Sequence, residues 1–227
     1  MPADRFFYAF LLTPNQEVQL ESKEFHHLKN VTRTKQGAVV ELVNGQGQLA
    51  SAILKKIGKN NALLQVNNVD KSPKPLHPLI LAQAIPRIHR LDFILEKGTE
   101  LGLTEFWLFP GHHSERKKLT EHQIRRLRAL TIAAMKQCGR LYLPTISIKP
   151  PLSDWGSPQL PAFFGDLSPN APPLFHAWQQ SPLKNEVLFF IGPESGFSDE
   201  EECTLRNFGA TGVKLHQNIL RTDTAAL

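Results

Sequence analysis

The sequence predicts a two-part α/β protein in which a small, mostly β domain precedes a larger domain of alternating strands and helices. Residues 72–78 contain three prolines, which disfavour regular helix and central strand and so indicate a linker. A glycine-containing hairpin pattern lies before this linker, and apolar runs of strand length alternate with amphipathic segments after it. We therefore expect one domain over residues 1–72 and a second over residues 73–227.

In the first domain, residues 39–43 and 49–54 form a predicted hairpin, with glycines in the turn at 44–47 supplying positive φ. A third strand is predicted over residues 62–66. Ser22 is an acceptable N-cap for a short helix. That helix would direct three apolar side chains into the core: Phe25, Leu28 and Val31.

In the second domain, continuous apolar runs predict strands that are buried on both faces. These strands cover residues 79–84, 106–109, 162–164, 187–191 and 212–215. The proline-rich stretch 144–182 is predicted as loops around the strand at 162–164, with a short helix before Pro182. Together with the intervening helices, this order predicts a parallel sheet.

The helices of the second domain carry recognisable start and stop signals. A helix over residues 91–101 ends at Gly102, and another begins at Thr120, where Gln123 completes a capping box. Ser198 and Glu201 form a second capping box, and Thr222 begins a final helix. The apolar stripe of the helix after Thr120 is spaced three or four residues apart, which predicts burial of Ile124, Leu127, Thr131, Met135 and Cys138.

Composition narrows the classes of protein. The chain has 227 residues, 41% hydrophobic and 21% charged, which is typical of a globular protein. No apolar run reaches the roughly 18 residues that span a bilayer, and no secretory signal is visible, so we expect no membrane partner. The two cysteines, Cys138 and Cys203, cannot form a disulfide scaffold or a CxxC metal site. We expect a cytoplasmic protein without a metal.

Positive charge is concentrated between Arg116 and Arg140, a stretch that contains eight basic residues and one acidic residue, Glu121. Such a run is typical either of a solvated helix face or of a surface that binds phosphates.

Two loops follow predicted strands, at residues 192–198 and 216–222. In open α/β sheets, ligands bind beyond the carboxyl ends of strands, so these loops are candidates for a ligand site. Neither loop is a GxGxxG fingerprint or a P-loop, which disfavours dinucleotides and nucleoside triphosphates. By itself the first loop fits a tight structural turn equally well.

The segment GPESGFS at residues 192–198 resembles the GPEGGFS loop of the RsmE family, and ILRTDTA at residues 219–225 resembles its ILRTETA signature. Shorter similarities occur at residues 5–7, 26–33, 97–102, 114–116 and 137–140. Members of this family use S-adenosylmethionine to methylate N3 of a uridine in 16S ribosomal RNA. The resemblance implies a PUA-like RNA-binding β-barrel followed by a SPOUT-type α/β domain with a C-terminal trefoil knot.

The resemblance also implies a homodimer that acts on 16S rRNA or the small ribosomal subunit. Ser195 and Asp223 depart from the family pattern, which has glycine and glutamate there. The family continues with a final helix where this sequence stops at Leu227, so we expect the natural chain to be longer.

The expected roles of individual residues follow from the two motifs and from chemistry. Arg221 would stabilise negative charge on the uracil, or else pair with Asp223 or Glu194. Glu194 would act as a base, or else cap the glycine loop. The donor pocket is expected to involve Gly192, Gly196, Leu215, Asn218 and Leu220. RNA contacts are expected from Arg5, Arg33, Arg116, Arg125, Arg128 and Arg140.

Two other interpretations stay open on sequence alone. One is a different SPOUT reaction, such as methylation of a ribose 2′-oxygen, and the other is an RNA-binding protein without catalysis. The adjacent histidines at 26–27 and 112–113 lack further ligands at metal-site spacing, which favours packing or hydrogen bonding.

Overall fold

The computed structural model describes residues 4–180 and 186–227. The chain divides into two compact units. The first comprises the chain up to Lys74 together with Ile132–Leu143, and the second comprises Pro75–Thr131 and Pro144–Leu227. Residues 72–78 carry neither helix nor strand, as their prolines predict.

The first unit is built on a curled five-stranded sheet of order β1-β3-β4-β5-β2. Its strands are β1 (Arg5–Phe7), β2 (Glu17–Glu21), β3 (Val39–Val43), β4 (Gln48–Ile57) and β5 (Asn61–Lys71). Only the β1–β3 pair is parallel. The predicted hairpin is confirmed as β3–β4, with Gly45 and Gly47 at φ +71° and +90°.

Strands β1 and β2 are additional to the three predicted strands, and the short helix differs from its prediction in two details. Helix α1 (Ser22–His26) has Glu21 at its N-cap position, and Ser22 is already the first helical residue, so the predicted Ser22 cap is wrong. The helix continues as a π-helical turn, His27–Val31, whose wider winding changes the face that each residue occupies. Phe25 and Leu28 are buried as predicted, whereas Val31 is 61% exposed.

The second unit contains a six-stranded parallel sheet of order β11-β9-β10-β6-β7-β8. Its strands are β6 (Leu79–Ala84), β7 (Glu105–Phe109), β8 (Thr145–Ile148), β9 (Ala162–Gly165), β10 (Val187–Ile191) and β11 (Thr211–Val213). The predicted parallel sheet is confirmed. Strand β8 lies in the stretch that is predicted as loop, so this part of the prediction is wrong. The strand is at the sheet edge and half-exposed, and it lacks the continuous apolar run of its buried neighbours.

Among the described residues, this part of the chain has five α-helices and one short 3-10 helix, Leu152–Asp154. The α-helices are α2 (Ile88–Leu101), α3 (Glu121–Cys138), α4 (Leu174–Gln180), α5 (Asp199–Asn207) and α6 (Thr222–Ala225). Both capping boxes are confirmed, since Thr120 and Gln123 bond each other reciprocally and Ser198 does the same with Glu201. Helix α2 begins three residues earlier than expected and ends at Gly102, which has φ +104°.

The sheet is buried on both faces, which explains its continuous apolar strands. On one face, Leu81 and Phe106 belong to a core cluster with Leu95 of α2; on the other, Phe190 clusters with Leu205 of α5. Cys138 was expected in the core but is exposed. Cys138 follows the buried Met135 by three residues, so its side chain lies about 60° around the helix axis from that of Met135. No helix in the described ranges is long and apolar enough to cross a membrane.

Candidate active site

The loops that follow β10 and β11 face each other across a cavity of about 370 Å³. Residues 192–197 form one wall, and residues 213–220 together with the start of α6 (Thr222 and Ala225) form the other, with Gly165, Asp166 and Leu167 between them. Strands β11, β9 and β10 are neighbours in one parallel sheet, so their carboxyl ends converge at this edge. The volume lies in the range of small-molecule sites, and the location is where parallel α/β sheets bind ligands.

The glycine loop is shaped by two positions that reject side chains. A Cβ on Gly192 would lie 3.0 Å from the carbonyl carbon of Gly196 and 3.1 Å from the nitrogen of Phe197, so the loop closes tightly on itself. Gly196 has φ +73°, a conformation that other residues rarely adopt. At these two positions, therefore, no side chain stands between the loop backbone and the cavity.

A buried hydrogen-bond network fastens the two walls behind the cavity. Gln83, in β6, is completely buried, and its Nε2 donates to Thr222 Oγ1 at 3.1 Å and lies 3.1 Å from the carbonyl oxygen of Gly192. Thr222 Oγ1 in turn donates to Gly192 O at 2.7 Å. Gln83 is the polar residue in an otherwise apolar strand. A polar residue in such a strand indicates a buried hydrogen bond, and this was the sequence signal for the network.

A charged network joins the same two loops nearer to solvent. Arg90, in the first turn of α2, contacts Glu194 (Nε–Oε1, 3.2 Å) and Asp223 (Nη1–Oδ1, 2.9 Å). The backbone N–H of Arg87, the N-cap residue of α2, donates to the same Glu194 oxygen at 3.0 Å. Nothing in the sequence around Arg90 distinguished it from other surface arginines.

The loop after β7 supports the glycine loop from another side. Glu201 closes the capping box of α5 and also accepts a hydrogen bond from the backbone N–H of His112 at 2.8 Å. His113 Nδ1 lies 3.3 Å from the carbonyl oxygen of Gly196. These contacts agree with the packing and hydrogen-bonding role expected for residues 112–113. Over residues 4–180 and 186–227, no three potential metal ligands cluster.

Asp166 is a buried carboxylate in the cavity wall. Its Oδ2 accepts a hydrogen bond from Arg206 at 2.7 Å. Burial, and secondarily the negative charge of Asp166, raise the pKa of the nearby Glu202 above its ordinary value, although Arg206 acts in the opposite direction. Arg206 therefore contacts two carboxylates, Asp166 in the cavity wall and Glu202 on α5 outside the lining of the cavity.

The structure brings the five predicted donor-pocket residues together. Gly192, Gly196, Leu215, Asn218 and Leu220 all line the cavity, and so does Glu194, the candidate base. Arg221 does not line it; this residue is exposed and forms the N-cap of α6. The ion pairs that we considered for Arg221, with Glu194 and Asp223, are instead made by Arg90.

The six arginines expected to contact RNA fall into different environments. Arg33, Arg116, Arg125 and Arg128 are exposed. Arg140 is partly buried, which lowers the pKa of its guanidinium. The side chain of Arg5 is only 9% exposed and forms a 2.6 Å ion pair with Glu41, which compensates its charge. The geometry therefore gives Arg5 a structural contact and leaves the side chains of Arg33, Arg116, Arg125 and Arg128 open to solvent.

Two family models match the chain. An RNA methyltransferase domain covers residues 72–227, and an RNA methyltransferase PUA domain covers residues 20–67. The chain belongs to the RNA methyltransferase family. This is the kind of protein that the two loop motifs indicated.

Known proteins resemble this RNA methyltransferase over nearly its whole length. Ribosomal RNA small subunit methyltransferase E of Rickettsia conorii is 27% identical, over 100% of this chain and 93% of that protein. The Buchnera aphidicola (Acyrthosiphon pisum) protein of the same name is 25% identical, over 94% and 85%. A crystal structure of the Neisseria gonorrhoeae protein of that name, bound to S-adenosyl methionine, has a TM-score of 0.85, 28% identity and coverage of 99% and 94%.

Proposed function

We propose that this RNA methyltransferase transfers a methyl group from S-adenosylmethionine to N3 of a specific uridine in 16S ribosomal RNA. The observation that carries the proposal is the convergence of residues 192–197 and 213–220 on one cavity. These two segments include the five residues expected in the donor pocket and Glu194. The resemblance to a protein whose crystal structure contains S-adenosyl methionine supports the same ligand here.

The residues around the cavity fit such a donor. Gly192 and Gly196 let the loop backbone approach a ligand closely, with amide and carbonyl groups available for the polar ends of the molecule. Leu215 and Leu220 supply apolar surface for a flat purine ring, and Asn218 adds a polar side chain. The donor supplies an electrophilic methyl group on a sulfonium, so no metal is required to activate it.

The protein must lower the cost of removing the N3 proton of uracil. We propose that the exposed guanidinium of Arg221, adjacent to the cavity-lining Leu220 and Thr222, binds a uracil oxygen and stabilises the negative charge left when that proton passes to solvent water. Correct placement of the two reactants lowers the barrier further. For Glu194 the contacts favour a holding role over that of a base, because α2 engages its Oε1 through Arg87 and Arg90.

The exposed arginines 33, 116, 125 and 128 are proposed phosphate ligands, with the partly buried Arg140 as a further candidate. Their guanidinium groups are suited to bidentate binding of phosphate oxygens.

We further propose the architecture that the family implies: domains 1–72 and 73–227, a C-terminal trefoil knot, a homodimer and a cytoplasmic location. The path of the chain supports the knot. After β11 at the sheet edge, the chain reaches the carboxyl ends of β10 and β6, where Thr222 bonds Gly192 and Gln83.

Transfer of a labelled methyl group from S-adenosylmethionine to small-subunit RNA, offered both free and in assembled subunits, tests the proposal. The modified atom separates the alternatives. N3 methylation blocks the pairing edge of uracil and stops reverse transcription at that base, whereas a ribose 2′-O-methyl group leaves the pairing edge intact.

Gly192→Ala is the matched negative variant, since its Cβ would lie 3.0 Å and 3.1 Å from backbone atoms of Gly196 and Phe197 and would press the loop out of its compact shape. The proposal predicts donor binding by calorimetry and an RNA stop that this variant abolishes. A 2′-O product would indicate the other SPOUT reaction. RNA binding without donor binding by the folded protein would indicate a non-catalytic role.

A further inference from the structure

We propose that Arg90 is a positioning residue that holds the two walls of the donor cavity together through Glu194 and Asp223. This inference rests on the proposed function for the identity of the donor, but the contacts themselves belong to the protein alone. Arg90 lies on neither of the loops that carry the sequence motifs. It reaches both of them from the first turn of α2.

The two carboxylates belong to segments that are far apart in the sequence. Glu194 lies in the glycine loop after β10, and Asp223 lies in the first turn of α6. One guanidinium contacts both, through Nε on one side and Nη1 on the other. A planar group with several N–H donors can make these two contacts at once, whereas the single ammonium of lysine is a more compact charge.

Partial burial of Arg90 and of its two partners strengthens these ion pairs. The exposed fractions of the side chains are 17% for Arg90, 26% for Glu194 and 23% for Asp223. Solvent therefore screens the three charges less than it screens an ion pair on the open surface. Loss of Arg90 would leave two partly buried carboxylates without their shared cation, which favours separation of the two segments.

Arg90 and Glu194 are close enough for an ion pair, but their atoms are not aligned for a hydrogen bond. Arg90 Nε is buried and lies 3.2 Å from Glu194 Oε1, yet it does not meet hydrogen-bond geometry. The same oxygen already accepts the backbone N–H of Arg87. The fixed anchor of Glu194 is therefore the Arg87 amide, and Arg90 adds an electrostatic contact that extends to Asp223.

The test compares variants of the full chain by calorimetric titration with S-adenosylmethionine and by hydrogen exchange of the unliganded protein. Arg90→Met keeps the length of the side chain but removes its charge. We expect it to weaken donor binding about 10- to 100-fold. We also expect it to accelerate exchange at the amides of residues 194–197. Arg90→Lys should lie between Arg90→Met and the original protein, because one charge remains.

Lys97→Met is the matched control. Lys97 is also a cation on α2, and its ion pairs go to Glu96 and Glu100 of the same helix. Its removal should leave donor affinity and loop exchange unchanged. If Arg90→Met lowers stability throughout the molecule, exchange will rise in the core strands as well, and Arg90→Lys then provides the comparison in a folded protein.

Coupling to the carboxylates distinguishes the proposed role from a general structural one. Arg90→Met combined with Asp223→Asn should weaken binding less than the product of the two single effects. In Arg90→Met, kcat at saturating donor should equal that of the original protein, while the KM for S-adenosylmethionine stays raised.

Donor affinity and loop exchange equal to those of the original protein in both Arg90 variants would overturn the inference. If the original protein bound no donor, the proposed function would fail instead, and the exchange measurement would still decide whether Arg90 joins the loops.

Discussion

Thr222 Oγ1 donates a hydrogen bond of 2.7 Å to the carbonyl oxygen of Gly192. The two residues belong to the two loops that form the cavity, and Gln83 Nε2 lies 3.1 Å from each of these oxygens. The threonine hydroxyl is therefore both donor and acceptor in a buried network. This single side chain connects the start of α6 to the end of β10.

Thr222→Val should disrupt this connection without a large change in volume. We expect a loss of about 1–3 kcal/mol in the free energy of unfolding, because a buried carbonyl and a buried amide lose a partner. Affinity for S-adenosylmethionine should fall as well. Chemical denaturation and calorimetry measure the two effects. Thr222→Ser retains the hydroxyl and should lose much less; equal losses in both variants would contradict a role for the hydroxyl.

Arg221 is predicted to act on the transition state rather than on the donor. Arg221→Met should lower kcat by about 10²- to 10³-fold, since a charge-stabilising group is lost. Affinity for S-adenosylmethionine should be unchanged, because Arg221 does not line the cavity. Single-turnover methylation and calorimetry check the two statements. Arg221→Lys should recover part of the rate, and an unchanged rate in Arg221→Met would remove this residue from the mechanism.

The exposed arginines are predicted to bind RNA mainly through phosphates. Arg125→Gln combined with Arg128→Gln should weaken RNA binding and make it less dependent on salt. The slope of log affinity against log salt should fall by about 0.7 for each phosphate of a single-stranded RNA that the double variant no longer binds. Lys59→Gln, at an exposed position outside the predicted set, should leave the slope unchanged. An identical slope in the double variant would show that these arginines face solvent only.

Glu202 gives a prediction about pH and stability. Its pKa is raised in the folded protein, first by burial and then by Asp166, so folding favours the protonated form. Ionised Glu202 therefore destabilises the fold above the folded pKa. This effect vanishes below the unfolded value of about 4.3, where both states are protonated. Glu202→Gln should raise the Tm at pH 7 and leave it nearly unchanged near pH 3.

The control for this prediction is Glu200→Gln. Glu200 is exposed in the first turn of the same helix, where a negative charge is favourable to the helix dipole. This control should leave the Tm unchanged or slightly lower at pH 7. A stabilisation by Glu202→Gln that persisted undiminished at low pH would mean that packing, rather than ionisation, causes it.

The sequence predicted much of the fold because the relevant signals are local. Both capping boxes, the glycine at the end of α2 and the hairpin at β3–β4 each depend on residues close together in the chain. The failures have physical causes too. The π-helical turn moved Val31 to the surface. Strand β1 has only three residues, β2 alternates but has only two apolar side chains, and β8 is a half-exposed edge strand.

The sequence by itself determined the two-part organisation, the parallel sheet and the glycine loop, since prolines, apolar runs and glycines act through the backbone nearby. Only the tertiary structure decided which side chains hold the cavity. Gln83, Arg90 and Glu194 lie on three different segments, and their distances depend on the order of strands in the sheet. It also showed that Arg90, rather than Arg221, pairs with Glu194 and Asp223. An ion pair depends on distance in space, which the spacing of charges along a chain does not specify.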